Sequence, residues 1–172
     1  MFHSEWSSQE QQARVSPYSL FEAALVRVRV TAPTGVAAFN VHGCTLHSLL
    51  QLPTKGDFKD LQGESLIKLQ QYLNGVTYII IDEMSMVGRK LMGQVDRRLR
   101  RAFPSCAHQI LGGISCLLFG DFGQLPPVFD LPLFTTSQSS NLSDLGRIAY
   151  QSFNKAVVLT RYASDWPRPS TS

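Results

Sequence analysis

An α/β fold, a mostly parallel sheet with helices flanking both faces, is predicted by three features of the chain. Val76-Thr77-Tyr78-Ile79-Ile80-Ile81 is apolar and β-branched almost throughout, the composition of a strand buried on both sides. A second apolar run, residues 114–119, follows Gly112-Gly113. Between them, residues 86–103 place Val87, Leu91, Val95, Leu99 and Ala102 on one face of a helix. Strands separated by helical stretches pair in parallel, because the helix carries the chain back to the start of the sheet.

The other elements follow in order. Leu25-Val26-Arg27-Val28-Arg29-Val30 reads as a strand running into the turn Ala32-Pro33-Thr34-Gly35. Leu66, Leu69 and Leu73 share the face of a helix that Asn74-Gly75 ends. Ala156-Val157-Val158-Leu159 reads as a closing strand. Residues 1–24 are polar and without period apart from a helical turn near 20–25, and form an unmatched leader; residues 163–172, rich in serine with Pro167 and Pro169, are expected to be disordered. The organised domain is thus expected over 25–162.

Composition narrows the class. A chain of 172 residues fits one ordinary domain. Its net charge of +3 permits a nucleic-acid partner without demanding one. Cys44, Cys106 and Cys116 are odd in number and lack CxxC spacing, which argues against a disulfide framework or a zinc site and for a reducing compartment. No apolar run approaches the roughly 20 residues of a bilayer span, and no signal-peptide core is present, so a soluble intracellular protein is expected.

Ligands of such sheets bind at the carboxyl ends of the strands. Two strands here end in acidic residues. Residues 79–81 deliver Asp82-Glu83, and residues 117–120 deliver Asp121, with Gln124 three positions on. An apolar strand ending in Asp-Glu is the Walker B arrangement, in which the Asp holds hydrated magnesium and the Glu polarises the water attacking a γ-phosphate. The bland reading makes Asp82 a cap of the following helix. The second acidic strand end favours the ATPase reading.

The motifs then become specific. Thr31-Ala32-Pro33-Thr34-Gly35-Val36-Ala37-Ala38-Phe39-Asn40, followed by Gly43-Cys44-Thr45-Leu46-His47-Ser48, resembles motif Ia of the Pif (petite integration frequency) DNA helicases and their Helitron-transposon relatives. Ile80-Ile81-Asp82-Glu83-Met84-Ser85-Met86-Val87 resembles their motif II. Gly112-Gly113, with Phe119-Gly120-Asp121-Phe122-Gly123-Gln124-Leu125-Pro126-Pro127-Val128, resembles their motif III. The resemblance covers about residues 28–160. It implies part of a RecA-like P-loop NTPase domain of a motor that hydrolyses ATP and moves 5′ to 3′ on single-stranded DNA, in the nucleus or the mitochondrion. It also implies Asp82 as the magnesium ligand, Glu83 as the catalytic carboxylate, Gln124 as the γ-phosphate sensor, and Asp121 as support for that network. Pro33, Thr34, Gly35, Phe39, Asn40, Thr45 and His47 would lie along the DNA strand. Hydroxyls and amides there bond phosphates without reading sequence, and the rings of Phe39 and His47 stack on bases. The bland alternative puts Phe39 in the core and makes His47 structural.

The departures carry equal weight. The family's phosphate loop ends Gly-Lys-Ser/Thr shortly before motif Ia, yet none of Lys55, Lys59, Lys68, Lys90 and Lys155 follows a glycine. The family's next motif begins near Arg161, so the second RecA-like domain and its arginine finger are expected outside these residues. A non-catalytic, DNA-binding or interaction remnant of a transposon-derived helicase is therefore the rival reading. Arg89, Lys90, Arg97, Arg100 and Arg101 lie opposite the apolar stripe of the 86–103 helix and read as a solvated face rather than a DNA footprint.

Overall fold

Four short parallel strands form one sheet in the computed structural model, which describes residues 28–159. The leader, the tail, and Leu25, Val26 and Arg27 of the first expected strand lie outside the described residues. The strands are β1 (Val28–Ala32), β2 (Cys44–Thr45), β3 (Tyr78–Ile81) and β4 (Ser115–Leu118), in the order β2-β1-β3-β4. β1 extends past the expected Val30 because its pairing with β3 continues to Thr31 opposite Ile81, and the buried Thr31 hydroxyl donates to the Ile80 carbonyl at 2.9 Å. Pro33, lacking an N–H, ends it.

The helices follow from caps and spacing. Thr34 caps α1 (Gly35–Asn40) by accepting from the Ala37 amide at 3.2 Å, and Thr45 caps α2 (Leu46–Leu50) by accepting from the Ser48 amide at 3.1 Å. Next come α3 (Gly63–Tyr72) and α4 (Arg89–Ala102), then α5 (Asn141–Gln151), an element the sequence reading does not contain. The helix expected from residue 86 begins at Arg89, because Met84–Met86 form a 3-10 turn and Gly88 takes an extended conformation at the N-cap. α4 and α5 meet backbone to backbone. A Cβ on Gly93 would strike the Leu142 carbonyl, and one on Gly146 the Arg89 carbonyl.

The core gathers on one face of the sheet. Ile79 and Ile81 are buried there with Leu46, Leu49 and Leu50 of α2, Leu69 of α3, Met92, Val95 and Leu99 of α4, and Ala149 of α5. Each fully buried aliphatic side chain contributes roughly 1.5–3 kcal/mol. The stripe expected on residues 86–103 is the one that packs. The opposite face carries Val28, Val30, Tyr78, Ile80 and Leu117, and there Tyr78 and Leu117 remain 48% and 39% exposed. Among the described residues that face is covered only at the carboxyl end of β1, where Ala32 is buried with Ala37 and Ala38 of α1, so the expected cover on both faces is partial. The reason is that the core helices pack against the Ile79–Ile81 side.

Two further corrections concern termini and charge. Residues 156–159 form no strand, and Val157, Val158 and Leu159 are exposed without a ladder partner among the described residues, since β-propensity supplies no partner by itself. The basic side of α4 is only in part the expected solvated face: Lys90, Arg97 and Arg101 are exposed, Arg100 is half-buried and Arg89 is buried. Arg89, fully buried, donates to the carbonyls of Ser143 and Ser137 and pairs with Asp144 at 2.6 Å. Arg97 grips Asp60 through two bonds of 3.0 and 2.7 Å, Arg98 donates to the Gln51 and Lys59 carbonyls, and Arg101 donates to that of Leu61. These side chains hold two loops onto the helix. The Arg97 hydrogen bond draws the Asp60 carboxyl below its ordinary pKa.

Candidate functional site

All three motifs leave the sheet at its carboxyl edge. β3 ends in Asp82-Glu83, and the backbone there is tied on both sides. The Asp82 amide donates to the Thr31 carbonyl of β1 at 2.8 Å, and the Phe119 amide beyond β4 donates to the Ile81 carbonyl at 2.8 Å. The chain then turns sharply. Glu83 sits in the left-handed region with φ of 53°, and the next amide, Met84, donates to the Phe119 carbonyl at 2.8 Å. A non-glycine residue held there costs backbone energy that the surrounding hydrogen bonds must offset, an outlier typical of working sites.

The exit of β4 is fitted to that turn. Gly120 has φ of 135°, and a Cβ on it would come within 2.9 Å of the Met84 amide nitrogen, so a side chain would push motif III off motif II. Asp121 then accepts from the Gly123 amide at 2.9 Å, and the Gln124 amide donates to the Asp121 carbonyl at 3.0 Å. This Asx-type turn presents Gln124 to solvent. Asp82 and Glu83 are half-buried, and Asp121 is exposed. The structure thus brings the backbones of Asp82-Glu83 and Gly120-Asp121 side by side, through adjacent strand ends.

The donor set suits one kind of metal. No group of three or more His, Cys, Asp or Glu side chains able to hold an ion occurs among the described residues. Magnesium asks for no such cage, since it binds through one or two carboxylates, water and substrate phosphates. Asp82 beside Glu83 fits that pattern.

Motif Ia lies at the ends of β1 and β2. Pro33, Thr34 and His47 line a cleft of about 410 Å3, whose other walls come from Met86, Gly88, Lys90 and Gln94 and from residues 127–130. Burial lowers the His47 pKa from its ordinary value, which favours a neutral ring at pH 7. Phe39 is 78% exposed at the end of α1, which rules out its core reading; together with Gly35 and Asn40 it stands outside the cleft lining. Thr34 and Thr45 accept from amides as helix caps and keep their O–H donors. The cleft also takes in Lys90, which the sequence reading puts on a solvated face, and Phe129 and Asp130, which no local motif marks.

A family model described as PIF1-like helicase matches residues 21–144. The chain belongs to the PIF1-like helicase family. It is 38% identical over 108 residues to the ATP-dependent DNA helicase PIF1 of Saccharomyces cerevisiae, covering 59% of this chain and 12% of that protein. Among solved structures it is similar to Bacteroides Pif1 bound to single-stranded DNA, with 35% identity, a TM-score of 0.51, and 65% of this chain covered against 26% of that one. The Bacteroides sp. Pif1 complex with ADP-AlF4 matches with 36% identity and a TM-score of 0.50, over 66% of this chain and 26% of that one. This PIF1-like chain therefore spans about an eighth of the yeast helicase and about a quarter of each Bacteroides chain. The parallel sheet with flanking helices is the RecA-like core of these Pif1 neighbours.

Proposed function

We propose that this chain supplies the metal-and-water half of an ATPase site, and a single-stranded DNA contact, to a PIF1-like motor. Such a motor hydrolyses ATP, moves 5′ to 3′ and unwinds DNA, with roles in repair, recombination and telomere maintenance in the nucleus or the mitochondrion. One observation carries the reading: Asp82-Glu83 and Asp121-Gln124 leave neighbouring parallel strands whose exits are tied by the Met84–Phe119 hydrogen bond. Solved relatives with single-stranded DNA and with ADP-AlF4 support it.

Each residue then has a task. Asp82 holds the metal, and magnesium bound with ATP supplies charge neutralisation at the phosphates. Glu83, turned by its left-handed backbone, accepts from the attacking water and orients it. Gln124 donates its side-chain amide to the terminal phosphate, and Asp121 fixes the turn that carries it. Thr34, Asn40, Thr45 and the Gly35 region bond DNA phosphates, Phe39 and His47 stack on bases, and Pro33 lies along the strand. A second reading, DNA binding without hydrolysis, applies to these 172 residues taken alone, in which no lysine follows a glycine.

The test is fluorescence anisotropy with a labelled oligothymidine across a salt series. The Phe39→Ala, His47→Ala double variant should bind at least about thirtyfold more weakly and keep a steep salt dependence, since stacking contributes roughly 1–3 kcal/mol per base and two rings are removed. An unchanged affinity would remove motif Ia from the DNA path.

A further inference from the structure

The cleft beside motif Ia has a second wall that no motif describes. It is built by the chain after Pro127, where Phe129 is the most exposed large apolar residue described, at 103%. Phe129 also has φ of 54°, the left-handed region that a bulky side chain rarely adopts. Neither packing nor backbone preference accounts for a phenyl ring held out in this way. What holds it is the next residue. Asp130 accepts from the Lys90 and Leu91 amides at 3.0 and 3.1 Å and from the Leu131 amide at 2.7 Å, while the Arg89 amide donates to the Leu131 carbonyl at 2.8 Å. Asp130 is thus the cap that the start of α4 lacks in its own sequence, and it anchors the Phe129 turn against motif II.

The charges of the cleft point one way. Lys55 and Lys90 line it, both are exposed, and neither ammonium has an ion-pair partner among the described residues. Among the described residues the one carboxylate in the lining, Asp130, is engaged with three backbone amides. Two free cations, a solvent-facing ring and the Thr34–His47 wall match a phosphate backbone with an unstacked base.

We propose that the cleft is a continuation of the single-stranded DNA path, in which Phe129 stacks on a base, Lys55 and Lys90 bond flanking phosphates, and Asp130 positions the ring. This rests on the reading of motif Ia as a DNA contact, and its test separates the two.

Anisotropy of the full 172-residue chain with labelled oligothymidine is the measurement. Phe129→Gly, which suits the left-handed backbone and removes only the ring, should weaken binding about fivefold or more, whereas Phe129→Tyr should bind like the parent. The Lys55→Ala, Lys90→Ala pair should reduce the slope of log K against log salt by about 1.4, two phosphates at about 0.7 each. If Phe129→Gly and the lysine pair behave like the parent while Phe39→Ala, a change outside the cleft lining, weakens binding, the cleft is not on the DNA path and motif Ia stands. Binding that none of these changes alters overturns both. A cleft made for another copy of the chain would instead show self-association in sedimentation that Phe129→Gly abolishes, with oligothymidine affinity unchanged, and that also overturns the proposal.

Discussion

Asp96 shows what one buried carboxylate does for the site. It lies on α4, 2% exposed, and its two oxygens accept from the Leu111 amide at 2.6 Å and the Arg100 Nε at 2.8 Å. Leu111 has a φ of 55°, so the turn that aims β4 at motif III is strained there and held from α4. Cys116, partly buried on β4 with Asp96 nearby, has its thiol pushed up to about 12, chiefly by desolvation, and stays a thiol at neutral pH. Asp96→Ala should destabilise the chain by about 2–3 kcal/mol, by orphaning a buried amide and a guanidinium. A thermal melt within about 1 °C of the parent would mean that Asp96 does not hold this turn. In the sequence, Asp96 looks like an ordinary helical partner of Arg100 four residues on; nothing local announces the amide of Leu111.

At the scale of elements, α4 is a clamp between motif II and the loops on either side. Its apolar stripe was legible from spacing alone, because a 3.6-residue period is a local property. Its charged side was not, because the partners of Arg89, Arg97 and Arg98 lie 37 to 55 residues away in sequence. The same limit applies at the N-terminus of the helix, where Gly88 offers no capping side chain and Asp130 provides one from beyond motif III. Asp130→Ala should cost about 1 kcal/mol, a typical capping loss. It should also speed hydrogen exchange of the Lys90, Leu91 and Leu131 amides while leaving the β3 amides protected. Uniformly faster exchange would place Asp130 in the general stability of the fold instead.

For the molecule as a whole, the motif residues and their strand ends were legible because Asp82-Glu83 and Asp121-Gln124 each follow a short apolar run directly. The exposure of residues 156–159 and of the Tyr78 side of the sheet was not, since burial of Val157 or Tyr78 depends on what lies beside the sheet rather than on their own side chains. The central claim is that Glu83, set beside motif III at the sheet's carboxyl edge, activates the water of an ATPase. Its most direct test is phosphate release, with oligothymidine present, by residues 28–159 grafted in place of the matching segment of a Pif-type helicase that carries a Gly-Lys-Ser/Thr loop. The 172-residue chain alone should release no more phosphate than its Glu83→Gln variant, because no lysine here cradles the phosphates. The graft should hydrolyse ATP when DNA is added, and Glu83→Gln should reduce that rate by about a hundredfold or more. A graft whose hydrolysis is indifferent to Glu83→Gln would contradict the account.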